Sequence, residues 1–116
     1  MKIKLISETI GTLFLLLIVV GSGIMGENLT ENKAVVLLAN SIATAFGLIV
    51  LIWTFAPYSG AHFNPVVSIV MMLLGKLTKY ETVLFILFQV VGGVLGVMIA
   101  NMIFDLDIIS ISDNRR

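Results

Sequence analysis

Ser59-Gly60-Ala61-His62-Phe63-Asn64-Pro65-Val66-Val67-Ser68 is a loop-forming stretch set between two long apolar segments. Behind it, residues 66–74 form an apolar run too short to cross a bilayer. That order reads as a loop that dips into the membrane and returns as a half-helix. Asn64-Pro65 is a helix start with a mechanism. Asn is a favoured N-cap, and Pro suits the first helical position because its missing donor would be unpaired there anyway. At 1.5 Å per residue, residues 65–74 would make a helix of about 15 Å, half of a bilayer core of about 30 Å. Its positive dipole end and free amides would then lie near the midplane, where they disfavour cations and can orient dipolar solutes. Non-helical backbone at that depth is tolerated only where protein buries it or water reaches it, so the stretch implies a pore or cavity.

Composition agrees with a membrane setting. Of 116 residues, 59% are hydrophobic and only 12% charged, which marks an integral, all-α membrane chain. At about 20 apolar residues per span the length leaves room for three spans and no separate soluble domain. There are no cysteines, so disulfides and thiolate metal sites are excluded. A formal net charge of zero offers no basic surface to nucleic acid. One histidine and few carboxylates at membrane depth supply little for catalysis, and neither an enzyme nor a cofactor is expected.

In chain order, Lys2 and Lys4 lead into a first span at about 5–25, longer than a signal-peptide core and carrying Glu8. It reads as a transmembrane helix rather than a cleaved leader. The second span, about 34–56, holds Asn40, Ser41 and Thr44, which are expected to hydrogen-bond across helices. Ala43 and Gly47, four apart, permit close helix approach, and Trp53 is expected to anchor at the interface. Pro57 is expected to end this span, since it has no amide donor and its ring blocks continuation. The loop and half-helix then occupy about 57–75. A polar turn at 75–79 leads to the third span, about 83–104, with Gly92, Gly96 and Ala100 forming a packing seam on one face. The tail, 105–116, is polar and expected to leave the bilayer. Glu8 and Gln89 are expensive at membrane depth unless partnered, so each marks a site.

These residues carry a family likeness. The opening stretch resembles the first Asn-Pro-Ala loop of the aquaporin and glycerol-facilitator family. Glu8-Thr9-Ile10-Gly11-Thr12 resembles the family's first helix, Ala45-Phe46-Gly47-Leu48 its second, and Gln89-Val90-Val91-Gly92-Gly93 its third. The resemblance implies a single half-aquaporin membrane domain over 1–116: three transmembrane helices and one re-entrant loop with a half-helix. It also implies a pore lined by Asn64, Pro65 and Val66, which stands where the family has Ala, and by the carbonyls of Gly60, Ala61 and His62. Phe46 would contribute to the selectivity constriction. Val67 stands at the position that aligns with the constriction's Arg, which makes the constriction more apolar. Glu8 and Gln89 would brace the loop through hydrogen bonds to its backbone.

Family members carry two such loops as inverted repeats. The likeness therefore implies an antiparallel homodimer, packed further as family tetramers are, in lipid of a plasma or inner membrane. It would pass water first and small neutral solutes such as glycerol second. A non-conducting half-fold, needing a complementary half or kept as a structural remnant, is the alternative. Orientation follows the Lys/Arg excess near the spans. Lys2, Lys4, Lys76 and Lys79 stand against Lys33, Arg115 and Arg116, and that near balance is what dual topology requires.

Overall fold

Four helices make up the computed structural model, which describes residues 1–109: α1 (Lys2–Leu29), α2 (Lys33–Ser59), α3 (Pro65–Leu73) and α4 (Lys79–Ile103). There is no strand among the described residues. α1, α2 and α4 are long and apolar enough to cross a membrane, and the protein is an integral membrane protein. α3, at nine residues, reaches only about 14 Å.

Local chemistry sets the helix ends. Asn32 caps α2, its side chain accepting from the amides of Ala34 and Val35 at 3.0 and 3.4 Å. Thr78 and Glu81 form a reciprocal capping box that starts α4. The expectation that Pro57 ends the second helix is corrected. α2 runs past it to Ser59 and closes at Gly60, whose amide reaches the Ala56 carbonyl at 3.0 Å. Proline removes one bond and crowds one carbonyl, and in the last turn those losses do not stop the residues after it from completing the helix.

α1 is the central helix. α4 runs parallel to it, as the Lys4 to Glu81 ion pair at 3.5 Å shows by joining their first turns. The two backbones touch: a Cβ on Gly92 would fall on the Thr9 carbonyl oxygen, and one on Gly96 on that of Leu13. The small-residue seam, with Ala100 fully buried, is thus filled by the chain's own α1. α2 runs antiparallel on the other flank of α1, with Gly47 against Ile18 and Ala43 half-buried one turn before.

Of Asn40, Ser41 and Thr44, only Asn40 bridges helices, its Nδ2 donating to the Val19 carbonyl at 2.7 Å. Ser41 turns back on its own helix to Leu37, and Thr44 Oγ1 is buried without a partner. A hydroxyl in a helix has its own carbonyl four residues back as a ready acceptor, so Ser41 need not reach across. α3 packs on α4, and its backbone stands apart from that of α2.

The parallel pairing of α1 and α4 puts Lys2, Lys4, Lys76 and Lys79 at one end of the molecule and Lys33 at the other. Arg115 and Arg116 lie outside the described residues. So does the tail beyond residue 109. Before that point Asn101 Nδ2 ties the chain back through the Ile108 carbonyl at 2.9 Å.

Candidate functional site

The site begins where α2 stops. Gly60 takes φ +89°, and Ala61 and Phe63 both take φ +51°, the left-handed region. For a residue with a Cβ that conformation costs roughly 1–2 kcal/mol, so something must hold it. Glu8 does so from α1. Its Oε1 accepts from Ser59 Oγ at 2.6 Å and the His62 amide at 3.0 Å; its Oε2 accepts from the Phe63 amide at 2.8 Å and Gln89 Nε2 at 2.7 Å. The Glu8 side chain is fully buried, and four converging donors offset what burial of a carboxyl group would otherwise cost. Ser59 Oγ also accepts from the Ala61 amide at 3.1 Å.

Packing fixes how deep the loop sits. The Phe63 ring fills the notch left by Gly11, where a Cβ would fall on the ring, and meets Phe55 edge-on at 5.9 Å. Gly11 is nine residues into α1, so the loop tip lies about 14 Å along it, the same reach as α3 and about half of a bilayer core.

Gln89 was expected to bond the loop backbone, and here the structure differs. Its Nε2 donates to the Glu8 side chain and, at 3.0 Å, to Ser68 Oγ, and to no loop carbonyl among the described residues. A side chain from α4 arrives behind Glu8, which already occupies the two loop amides. Ser68, buried on α3, touches His62 Nδ1 at 3.0 Å, and the Phe85 ring lies 5.2 Å from the imidazole. Ser59 and Ser68 are the members that sequence reasoning left without a role. Their signal was chemical: hydroxyls bounding a loop, next to residues that need partners at membrane depth.

Asn64 caps α3, its Oδ1 accepting from the Val66 amide at 2.8 Å, while its Nδ2 has no partner among the described residues and the side chain is exposed. Pro65 follows at the first helical position. Among the described residues the carbonyls of Gly60, Ala61 and His62 accept no hydrogen bond, so the loop offers acceptors beside the Asn64 donor. Val66 and Val67 stand exposed on the first turn of α3. Phe46 is 68% exposed on α2, one residue off the Gly47 seam, and this chain does not bring it against α3. No cluster of His, Asp or Glu able to hold a metal occurs among the described residues.

The sequence profile of the family described as Major intrinsic protein matches residues 1–112. Over 103 residues the chain is 45% identical to the Aquaglyceroporin AqpS of Rhizobium meliloti (strain 1021), covering 89% of this chain and 44% of that relative. It is 33% identical over 104 residues to the Aquaporin NIP1-2 of Arabidopsis thaliana, covering 90% and 35%. Against the Aquaporin TIP1-1 of Arabidopsis thaliana it is 35% identical over 97 residues, covering 81% and 39%. The chain spans less than half the length of these curated relatives.

Proposed function

This chain belongs to the major intrinsic protein family, and we propose on that footing that it supplies half of a passive channel for water or small neutral solutes. The observation that carries the reading is the loop of residues 59–64, pinned at half the depth of α1 by Glu8, with three unpaired carbonyls and the free Asn64 amide beside them. Acceptors in a row can replace part of a solute's hydration shell, and Asn64 Nδ2 can donate to its oxygen. α3 covers only half the membrane, so an inverted second half must supply the other half-helix. We assign that part to a second copy in the opposite orientation, meeting the first at the Asn64-Pro65 ends. The exposed apolar side chains Val66, Ile69 and Leu73 of α3 suit burial in such a pairing.

In this reading Phe46 of one copy and Val67 of the other form the constriction. With no cation at Val67 it is apolar, and the name of the aquaglyceroporin relative favours small neutral solutes such as glycerol alongside water.

Stopped-flow water and glycerol permeability of vesicles containing the purified chain tests the proposal. Permeability above that of empty vesicles is expected. Asn64→Asp keeps the cap acceptor and removes the donor, so its flux should fall. Wild-type vesicles no more permeable than empty ones would refute the channel. Single cysteines at 26–33 and 75–79 test the pairing: each is expected to label from both sides, and strictly one-sided labelling excludes opposite insertion.

A further inference from the structure

His62 is the single histidine of the chain, and its imidazole is held from two sides. Phe85, fully buried, lies against the ring at 5.2 Å with the planes at 58°, which hinders the ring from turning over. Ser68 Oγ meets Nδ1 at 3.0 Å. Among the described residues Nε2 has no partner, yet it is not sealed in as are Thr12 Oγ1, Thr44 Oγ1 and Gln89 Oε1, the buried side-chain atoms without partners there. Its edge is open because Gly60 has no side chain: a Cβ there would stand 3.2 Å from Nε2.

Which ring nitrogen carries the proton follows from the bonds behind it. Glu8 accepts from the amides of His62 and Phe63, groups that can only donate. The Gln89 end that faces Glu8 Oε2 at 2.7 Å is its NH2, which adds a third kind of donor to a carboxylate. The second hydrogen of that NH2 points to Ser68 Oγ at 3.0 Å. Ser68 therefore accepts from Gln89, and its own hydrogen needs an acceptor in a fully buried place. Nδ1 of His62 is the acceptor within reach, so it must present a lone pair. With the proton on Nδ1 instead, the Ser68 hydrogen would be orphaned, a form disfavoured by roughly tenfold or more.

We infer that Glu8, acting through Gln89 and Ser68, holds His62 as the Nε2–H tautomer, so that the ring presents a hydrogen-bond donor beside the acceptor carbonyls of the loop. The solute group it fits is an oxygen acceptor, as in water or a polyol hydroxyl. The choice of solute rests on the channel reading; the tautomer does not. Ser68 and Gln89 are positioning residues here, acting through the imidazole. A Gln89 amide turned end for end would reverse every link and place the proton on Nδ1, so the tautomer also reports how Gln89 lies.

Because the chain has one histidine, isotope-labelled histidine in bilayer samples gives a single pair of imidazole nitrogens by solid-state NMR. The wild type should show Nε2 protonated and Nδ1 as the bare nitrogen, shifted by an accepted hydrogen bond. Ser68→Ala should raise the Nδ1–H population about tenfold, and Ser68→Thr should restore the wild-type spectrum. Glycerol permeability should fall roughly two- to tenfold in Ser68→Ala, the worth of one hydrogen bond, and recover in Ser68→Thr. A wild-type spectrum with the proton on Nδ1, or unchanged populations in Ser68→Ala, overturns the assignment. An Nε2–H spectrum from vesicles no more permeable than empty ones overturns the channel and the solute contact with it, and upholds the tautomer.

Discussion

Replacing Glu8 by Gln changes almost no volume and removes one of two acceptor oxygens from a site that serves four donors. Two orientations of the new amide are open. With its oxygen in the Oε1 place it keeps Ser59 Oγ and the His62 amide, and its NH2 faces the Phe63 amide and Gln89. Gln89 can turn to offer Oε1, with Ser68 then donating to it, but the Phe63 amide cannot turn and is orphaned. With the oxygen in the Oε2 place, Ser59 can rotate to accept, and the His62 amide is orphaned instead. One buried backbone donor is lost either way, worth about 1–3 kcal/mol. The left-handed Ala61 and Phe63 then lose part of what holds them, at about 1–2 kcal/mol each. Relief of the burial cost of a carboxyl group works in the opposite direction, and the net destabilisation expected is about 2–3 kcal/mol. Reversible unfolding in mixed micelles, followed by far-ultraviolet circular dichroism, measures it, and amide exchange locates it at His62 and Phe63. A variant within about 0.5 kcal/mol of wild type would refute the clamp, since that is less than one buried hydrogen bond.

Other substitutions separate backbone contacts from side-chain contacts. Gly92→Ala drives a methyl into the Thr9 carbonyl of α1, which cannot yield, and should cost about 1–3 kcal/mol or more by the same unfolding measurement. Gly47→Ala meets the Ile18 side chain, Cδ1 most closely and then Cγ2, with no backbone in the way, and should cost less than Gly92→Ala, about 1 kcal/mol. Phe63→Ala empties the notch at Gly11 and should cost about 3–5 kcal/mol, with faster amide exchange through the loop. Thr78→Ala removes the cap of α4 and should lower stability by about 1 kcal/mol while vesicle permeability stays unchanged.

Hydropathy, caps and the Asn64-Pro65 start are local properties, and they alone determined that three helices cross the membrane and one half-helix returns from its middle. The cost of burying Glu8 and Gln89 likewise announced, from composition and position, that both must be partnered. Which partners they take was decided by tertiary structure. Gln89 stands behind Glu8 and reaches Ser68 because parallel pairing with α1 puts it there; nothing in the spacing of residues 8, 68 and 89 encodes that contact. The seam of Gly92, Gly96 and Ala100 was legible as a close-packing face, but only the fold shows α1 of the same chain occupying it. Asn40 and Ser41 look equally able to bridge helices in the sequence, and they part ways on which face of α2 meets α1. Pro57 shows the converse, a strong local signal overridden by the two residues that follow it in the helix. Local chemistry sets where a helix can begin or end and which groups need partners. The partner itself depends on which distant face arrives opposite, a property of the packed chain as a whole.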